Sequence, residues 1–213
     1  MNNDPEQRDE KLRAIRDELL NFTQSPLYQY RTENNYFPVI GQGNHYAKFM
    51  FIGEAPGQNE AKTGRPFCGA AGKILDQLLE SVGIKRDDVY ITNIVKDRPQ
   101  NNRDPEPQEI ELYAPFLDRQ LEIIQPKVIV TLGRFSMAYI MQRFGLGQEL
   151  KPISALHGTV HQSNSLLSFP VTIIPMYHPA AAIYNGATKE QLFKDFQILK
   201  NIHNANHTNG ECE

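Results

Sequence analysis

Residues 48–57 read KFMFIGEAPG. An apolar run of Phe, Met and Ile that stops on a Gly/Pro cluster is a buried strand entering a loop. The same design recurs as VYITN at 89–93, as KVIVTLG at 127–133 before Arg134, and as VTIIPMY at 171–177 before His178 and Pro179. Helical periodicity fills the intervals, with Ile74, Leu75, Leu78, Leu79 and Val82 on one face of 71–82 and Gly83 as its stop. Alternating strands and helices predict an α/β fold: a three-layer α/β/α sandwich around a four-stranded parallel sheet. In such a sheet the strand C-termini open on one edge, and ligands bind there. A carboxylate (Glu54), a carboxamide (Asn93), a Gly133-Arg134 turn and an imidazole (His178) are thereby brought around one crevice.

Outward from these strands, helices are expected at 9–21, 107–124, 135–144 and 188–202, and strands at 48–52, 89–95, 127–132 and 171–176. Residues 22–47, 53–70 and 96–107 read as loops, rich in Pro, Gly and Asn. Residues 145–170 read as irregular, with a short hairpin around His157-Gly158. The polar tail 204–213 is expected to be disordered. The 213 residues suit a single domain.

Composition narrows the class. Hydrophobic residues make up 40% of the chain, and no window approaches the ~18 apolar residues of a membrane span. The N-terminus MNNDPEQRDE lacks a basic-then-apolar signal pattern. A cytoplasmic, monomeric protein is the expectation. Two cysteines, Cys68 and Cys212, cannot complete a four-thiolate site. The net charge of -3 argues against indiscriminate coating of nucleic acid. Lys62, Arg65, Lys73, Lys96, Arg98 and Arg103 fall in or beside the site loops, either as a local basic patch or as a solvated face.

Each site residue has two readings. Asn93 at a strand end is a turn former or a base reader. A fixed carboxamide sets an acceptor beside a pair of donors, which matches N3–H and O4 of uracil and mismatches N3 and the amino group of cytosine. His178 is a structural histidine or an oxyanion donor. Phe67, in GRPFCG, plugs the core or stacks on a base. Glu54 and Glu60 cap a helix, or position water and stabilise a cationic sugar. Gly133-Arg134 at a helix start suits a phosphate. Cys68 reads as a small buried hydrophobe.

The runs GEAPGQNEAKTGRPFCGAAG at 53–72, VYITNIVKDRPQNNRDP at 89–105, VIVTLGRFS at 128–136 and MYHPAAAIYN at 176–185 resemble the motifs of uracil-DNA glycosylases. The resemblance is to the iron–sulfur class called family four and spans about residues 22–200. It implies hydrolysis of the N-glycosidic bond of deoxyuridine in single- or double-stranded DNA. It implies that Phe67 stacks on the flipped uracil and that Asn93 reads its edge. His178 would stabilise the departing anion, and Glu54 would orient the attacking water. Glu60 would lie near uracil C5, with Ala55 and Gly57 of the same turn lining the base site. Gly133, Arg134, Arg65, Ile183 and Tyr184 would meet the DNA.

Departures from the family pattern are equally informative. The family holds a [4Fe–4S] cluster on four cysteines. Here Phe22, Ser25, Asp97 and Tyr113 stand at those positions, so no cluster and no other metal or cofactor is predicted. A packed Phe22–Tyr113 pair with Ser25 and Asp97 hydrogen-bonded nearby is the expected substitute. After His178 the family pattern is close to HPAYLLRN, whereas Ala181 and Ala182 are small here, which suits a substrate needing less unstacking. Two other classes stay open: a degenerate module that binds DNA without cleaving it, and a glycosylase for hypoxanthine or xanthine.

Overall fold

The computed structural model describes residues 5–163 and 169–205. Its elements run α1 (Pro5–Leu20), α2 (Tyr28–Glu33), β1 (Gln42–Gly43), β2 (Phe49–Gly53), α3 (Gln58–Thr63), α4 (Ala70–Ser81), β3 (Tyr90–Asn93) and α5 (Pro107–Ile124). They continue with β4 (Val128–Leu132), α6 (Arg134–Arg143), α7 (Ile153–Leu156), β5 (His161–Ser163), β6 (Val171–Met176), α8 (Ala181–Tyr184) and α9 (Gly186–Ala205). No described helix is long and apolar enough to cross a membrane.

The sheet order is β1-β3-β2-β4-β6-β5. The central four strands, β3-β2-β4-β6, are parallel, with Gly53 opposite Asn93 and Leu132 opposite Met176. Among the described residues the sheet therefore has six strands rather than four, because β1 and β5 add antiparallel edges. β5 pairs with β6 through His161–Ser163, so the hairpin lies beyond His157-Gly158 rather than around it. Of the tail, Asn204 and Ala205 are helical and residues 206–213 lie outside the described residues.

Side-chain alternation along each strand divides the core between the two faces of the sheet. Met50, Ile52, Tyr90 and Ile129 pack under α1, α5 and α6, against Ile15, Leu19, Leu117, Leu121 and Ile140. Phe49, Phe51, Ile91, Val130 and Ile174 pack under α4 and α9, against Leu75, Leu78, Leu192 and Phe196. Each such buried side chain contributes about 1.5–3 kcal/mol. α5 begins with Pro107 at its first position and a capping box between Glu106 and Glu109. The Arg103 fork donates to both oxygens of buried Glu109, at 2.9 and 2.6 Å, and so pins the loop before the helix.

Candidate active site

The C-terminal ends of β2 and β3 and the turn after β6 open into one cavity of about 440 Å³. Glu54, Ala55, Gly57, Glu60, Phe67, Asn93 and His178 line it, together with Pro99, Asn102, Arg103, Asp104 and Pro105 of the loop after β3. The sequence did not single out Asn102, Asp104 or the two prolines.

Asn93 ends β3 and is 1% exposed. Its Oδ1 has no hydrogen-bond donor among the described residues, an expensive arrangement unless a ligand supplies one. A Cβ on Gly53 would lie 2.3 Å from Asn93 Oδ1 and 2.8 Å from Phe67 Cζ, so only glycine lets the two side chains meet. Gly53→Ala is expected to lower kcat/KM on the substrate of this cavity by at least about 100-fold through misplacement of both groups. Steady-state kinetics check it, and a rate within threefold of wild type would contradict it.

Phe67 is buried and held at φ 49°, a left-handed conformation unusual for an aromatic residue. Two charged side chains hold the loop there. Glu60 Oε1 accepts from the N–H groups of Cys68 (3.0 Å) and Gly69 (2.8 Å), at the start of α4. Arg86 donates to the carbonyls of Pro66 (2.8 Å) and Phe67 (3.1 Å). Cys68 itself is exposed, not buried as the sequence suggested, because the turn that buries Phe67 points the next side chain outward.

His178 lies 5.6 Å from the Phe67 ring, nearly parallel to it at 29°. Burial pulls its pKa down to about 4, against the opposing charge of Glu60, so the imidazole is neutral at pH 7. The Ala180 N–H donates to Nδ1 at 3.1 Å, which places the remaining ring proton on Nε2.

Glu54 reaches the start of α6, where Oε1 accepts from the Phe135 N–H at 3.2 Å. Gly133 makes room for it. A Cβ there would lie 2.2 Å from Oε1, and the backbone sits at φ 104°. Burial raises the Glu54 pKa above the ordinary carboxylate value, with Asp104 adding to the rise, while the Phe135 N–H and Arg134 oppose it. Arg134 pairs with Asp104 at the cavity rim, both well exposed, a contact worth little in stability.

The outer residues lie apart from the lining. Arg65 is exposed and donates from Nε to Gln42 at 3.3 Å. Ile183 and Tyr184 are exposed on α8, with Tyr184 94% accessible. The six scattered cations are not one solvated face, since Lys96 is fully buried and Arg98 nearly so. Arg98 donates to Asn102 (2.7 Å) and to the hydroxyls of Tyr30 (3.0 Å) and Tyr36 (3.1 Å).

Phe22, Ser25, Asp97 and Tyr113 converge on one buried node. The Tyr113 hydroxyl lies 2.6 Å from Asp97 Oδ2 and 2.7 Å from Ser25 Oγ. Phe22 packs edge-on against Tyr113 and Phe116, at 5.5 and 5.0 Å between centroids. Arg31, which the sequence reading missed, completes the node. Its Nη1 donates to both Asp97 oxygens at 3.1 Å. It also donates to the last carbonyls of α1, Leu19 (2.9 Å) and Leu20 (2.8 Å). A [4Fe–4S] cluster takes four thiolates. A phenyl ring, a hydroxyl, a carboxylate and a phenol, already bonded to one another and to a guanidinium, do not fit one.

The fold and cavity define an α/β protein with a cavity at the strand ends walled by an aromatic ring, a carboxamide, an imidazole and carboxylates. The profile of the uracil DNA glycosylase superfamily matches residues 40–198, and the chain belongs to this superfamily. The chain is 43% identical over 194 residues to the type-4 uracil-DNA glycosylase of Sulfurisphaera tokodaii, covering 91% of this chain and 85% of that protein. It is 46% identical over 170 residues to the type-4 enzyme of Archaeoglobus fulgidus, covering 80% and 83%. The type-4 enzyme of Thermotoga maritima is 37% identical over 189 residues, covering 85% and 88%.

Proposed function

We propose that this chain is a uracil-DNA glycosylase that works as a single, cluster-free domain, hydrolysing the N-glycosidic bond of deoxyuridine in DNA and leaving an abasic site. One observation carries the reading. The buried Asn93 Oδ1 lacks a donor among the described residues, and uracil N3–H supplies one whereas cytosine N3 does not.

In this reading the deoxyuridine is flipped out of its strand into the cavity. Phe67 stacks on the ring, Asn93 bonds N3–H and O4, and Ala55, Gly57 and Glu60 close around the base edge. The C1′–N1 bond breaks and its electron pair leaves on uracil. Neutral His178 donates Nε2–H to O2 as that charge develops. Glu54 stabilises the oxocarbenium-like sugar and orients the water whose oxygen attaches to C1′. One water proton returns to the uracil anion. Gly133, Arg134 and Arg65 bind the DNA backbone, and Ile183 and Tyr184 meet the bases beside the gap. The Arg31–Asp97–Tyr113 node holds the loop that the relatives' cluster would hold.

Incubation with oligonucleotides carrying one deoxyuridine, single-stranded or opposite G or A, tests the reading after alkali treatment. Hypoxanthine, xanthine and cytosine substrates run in parallel. Strand scission at uracil is the expected result. Retention of uracil DNA by the folded protein without scission would point instead to a binding module.

The pH profile adds a second check. Glu54 must be ionised, and its pKa is raised by burial. The single-turnover rate is therefore expected to fall, as pH drops, from a point above the ordinary glutamate value. Glu54→Gln is expected to be slower throughout and to lack that limb. An identical limb in the variant would remove Glu54 from the role.

A further inference from the structure

Directly behind Asn93 lies a lysine that nothing above uses. Lys96 is fully buried. Its Nζ donates to Gln120 Oε1 (2.6 Å), Thr92 Oγ1 (2.7 Å) and the Asn93 carbonyl (2.7 Å), with the Ile40 carbonyl at 3.3 Å. No carboxylate pairs with it among the described residues.

The surrounding groups are oriented to accept from it. The Gln120 Nε2 donates to the Ile40 carbonyl (2.9 Å) and Tyr90 hydroxyl (3.1 Å), which turns Oε1 toward Lys96. The Thr92 hydroxyl donates onward to Ile40 at 2.7 Å, leaving a lone pair for the lysine. Burial pulls the Lys96 pKa well below that of a free lysine, and hydrogen bonding of the charged form to several oxygens works against that pull. Three short contacts match the three hydrogens of an ammonium, whereas a neutral amine would turn a lone pair toward one of these acceptors.

The placement matters because β1 covers β3 only at Tyr90 and Ile91. Among the described residues no strand reaches the Asn93 carbonyl on that side, and Lys96 takes it. We propose that Lys96 is a positioning residue for base excision: it fixes the Asn93 main chain at the strand end and sets a positive charge behind the cavity wall where negative charge develops on the leaving base. The proposal rests on the glycosylase reading. A charge without a carboxylate partner, in a low-dielectric wall, acts on a developing anion more strongly than it would in water.

Single-turnover cleavage of a deoxyuridine oligonucleotide by Lys96→Met and Lys96→Gln tests it, each well below its own unfolding midpoint. Lys96→Met removes both the donor and the charge. It is expected to lower kcat by about 100-fold with KM for DNA little changed, the signature of an interaction made in the transition state. Lys96→Gln keeps a donor for the Asn93 carbonyl. It is expected to lower kcat about tenfold while retaining the preference for free uracil over free cytosine as inhibitor, a preference that Lys96→Met loses. A core variant of matched thermal stability, Ile140→Val, is expected to keep its kcat, so that loss of stability alone does not mimic the effect. Both lysine variants cleaving within threefold of wild type, with the base preference intact, would overturn the proposal. If Lys96→Met does not fold, Lys96→Gln decides. Failure of the wild type to cleave uracil would instead overturn the glycosylase reading.

Discussion

Asp97→Asn is expected to lower the unfolding free energy by about 3–5 kcal/mol, because it leaves the Arg31 guanidinium buried without its counter-charge. Asp97 and Arg31 are almost fully buried and 3.1 Å apart, so solvent does little to screen the loss. Arg31→Met is expected to cost a similar amount, stranding the Asp97 carboxylate and releasing the carbonyls of Leu19 and Leu20 at the end of α1. Tyr113→Phe, which removes only the hydroxyl shared by Asp97 and Ser25, is expected to cost about 1–3 kcal/mol. The Asp97→Asn/Arg31→Met double variant should be more stable than the two single losses added together, since it buries no lone charge. Urea denaturation with m-values checks all four. Asp97→Asn and Arg31→Met both within about 1 kcal/mol of wild type would show that the node does not hold the N-terminal segment to the loop after β3.

The second large effect is catalytic. His178→Ala is expected to lower kcat on deoxyuridine by about 100–1000-fold, the usual loss for one donor to a developing oxyanion. Asn93→Ala is expected to be as severe, through lost positioning of the base as well as a lost hydrogen bond. The two should differ from core variants in stability. Asn93 Oδ1 is a buried acceptor lacking a donor among the described residues, so its removal relieves an unsatisfied group, and Asn93→Ala is expected to be as stable as wild type or more so. Thermal melts beside single-turnover kinetics separate these outcomes. A stable Asn93→Ala that cleaves at the wild-type rate would remove Asn93 from base recognition.

The four parallel strands were legible because each is an apolar run closed by a polar cluster. For the same reason the residues at their ends, Glu54, Asn93 and His178, could be placed on one edge before any coordinates. The edge strands were not legible. β1 is Gln42-Gly43 and β5 is His161-Gln162-Ser163, and both pair through backbone groups that carry no side-chain pattern. α2 is a six-residue helix between prolines at 26 and 38, too short for periodicity to show. Arg31 escaped notice because its partners are two backbone carbonyls and an acid 66 residues away. Lys96 read as a surface charge because sequence counts charges but not acceptors, and its four acceptors come from Ile40, Thr92, Asn93 and Gln120. That no thiolate stands at Phe22, Ser25, Asp97 or Tyr113 was visible in the sequence, whereas the geometry of the node these residues form belongs to the fold.

The most direct measurement is cleavage of a deoxyuridine oligonucleotide by protein prepared from iron-depleted medium, with metal content determined on the same sample. Cleavage at the rate of protein grown with iron, by a preparation free of iron and of cluster absorbance, is the predicted result. Scission that appears only when iron is bound, or none by the folded protein, would contradict a cluster-free uracil-DNA glycosylase.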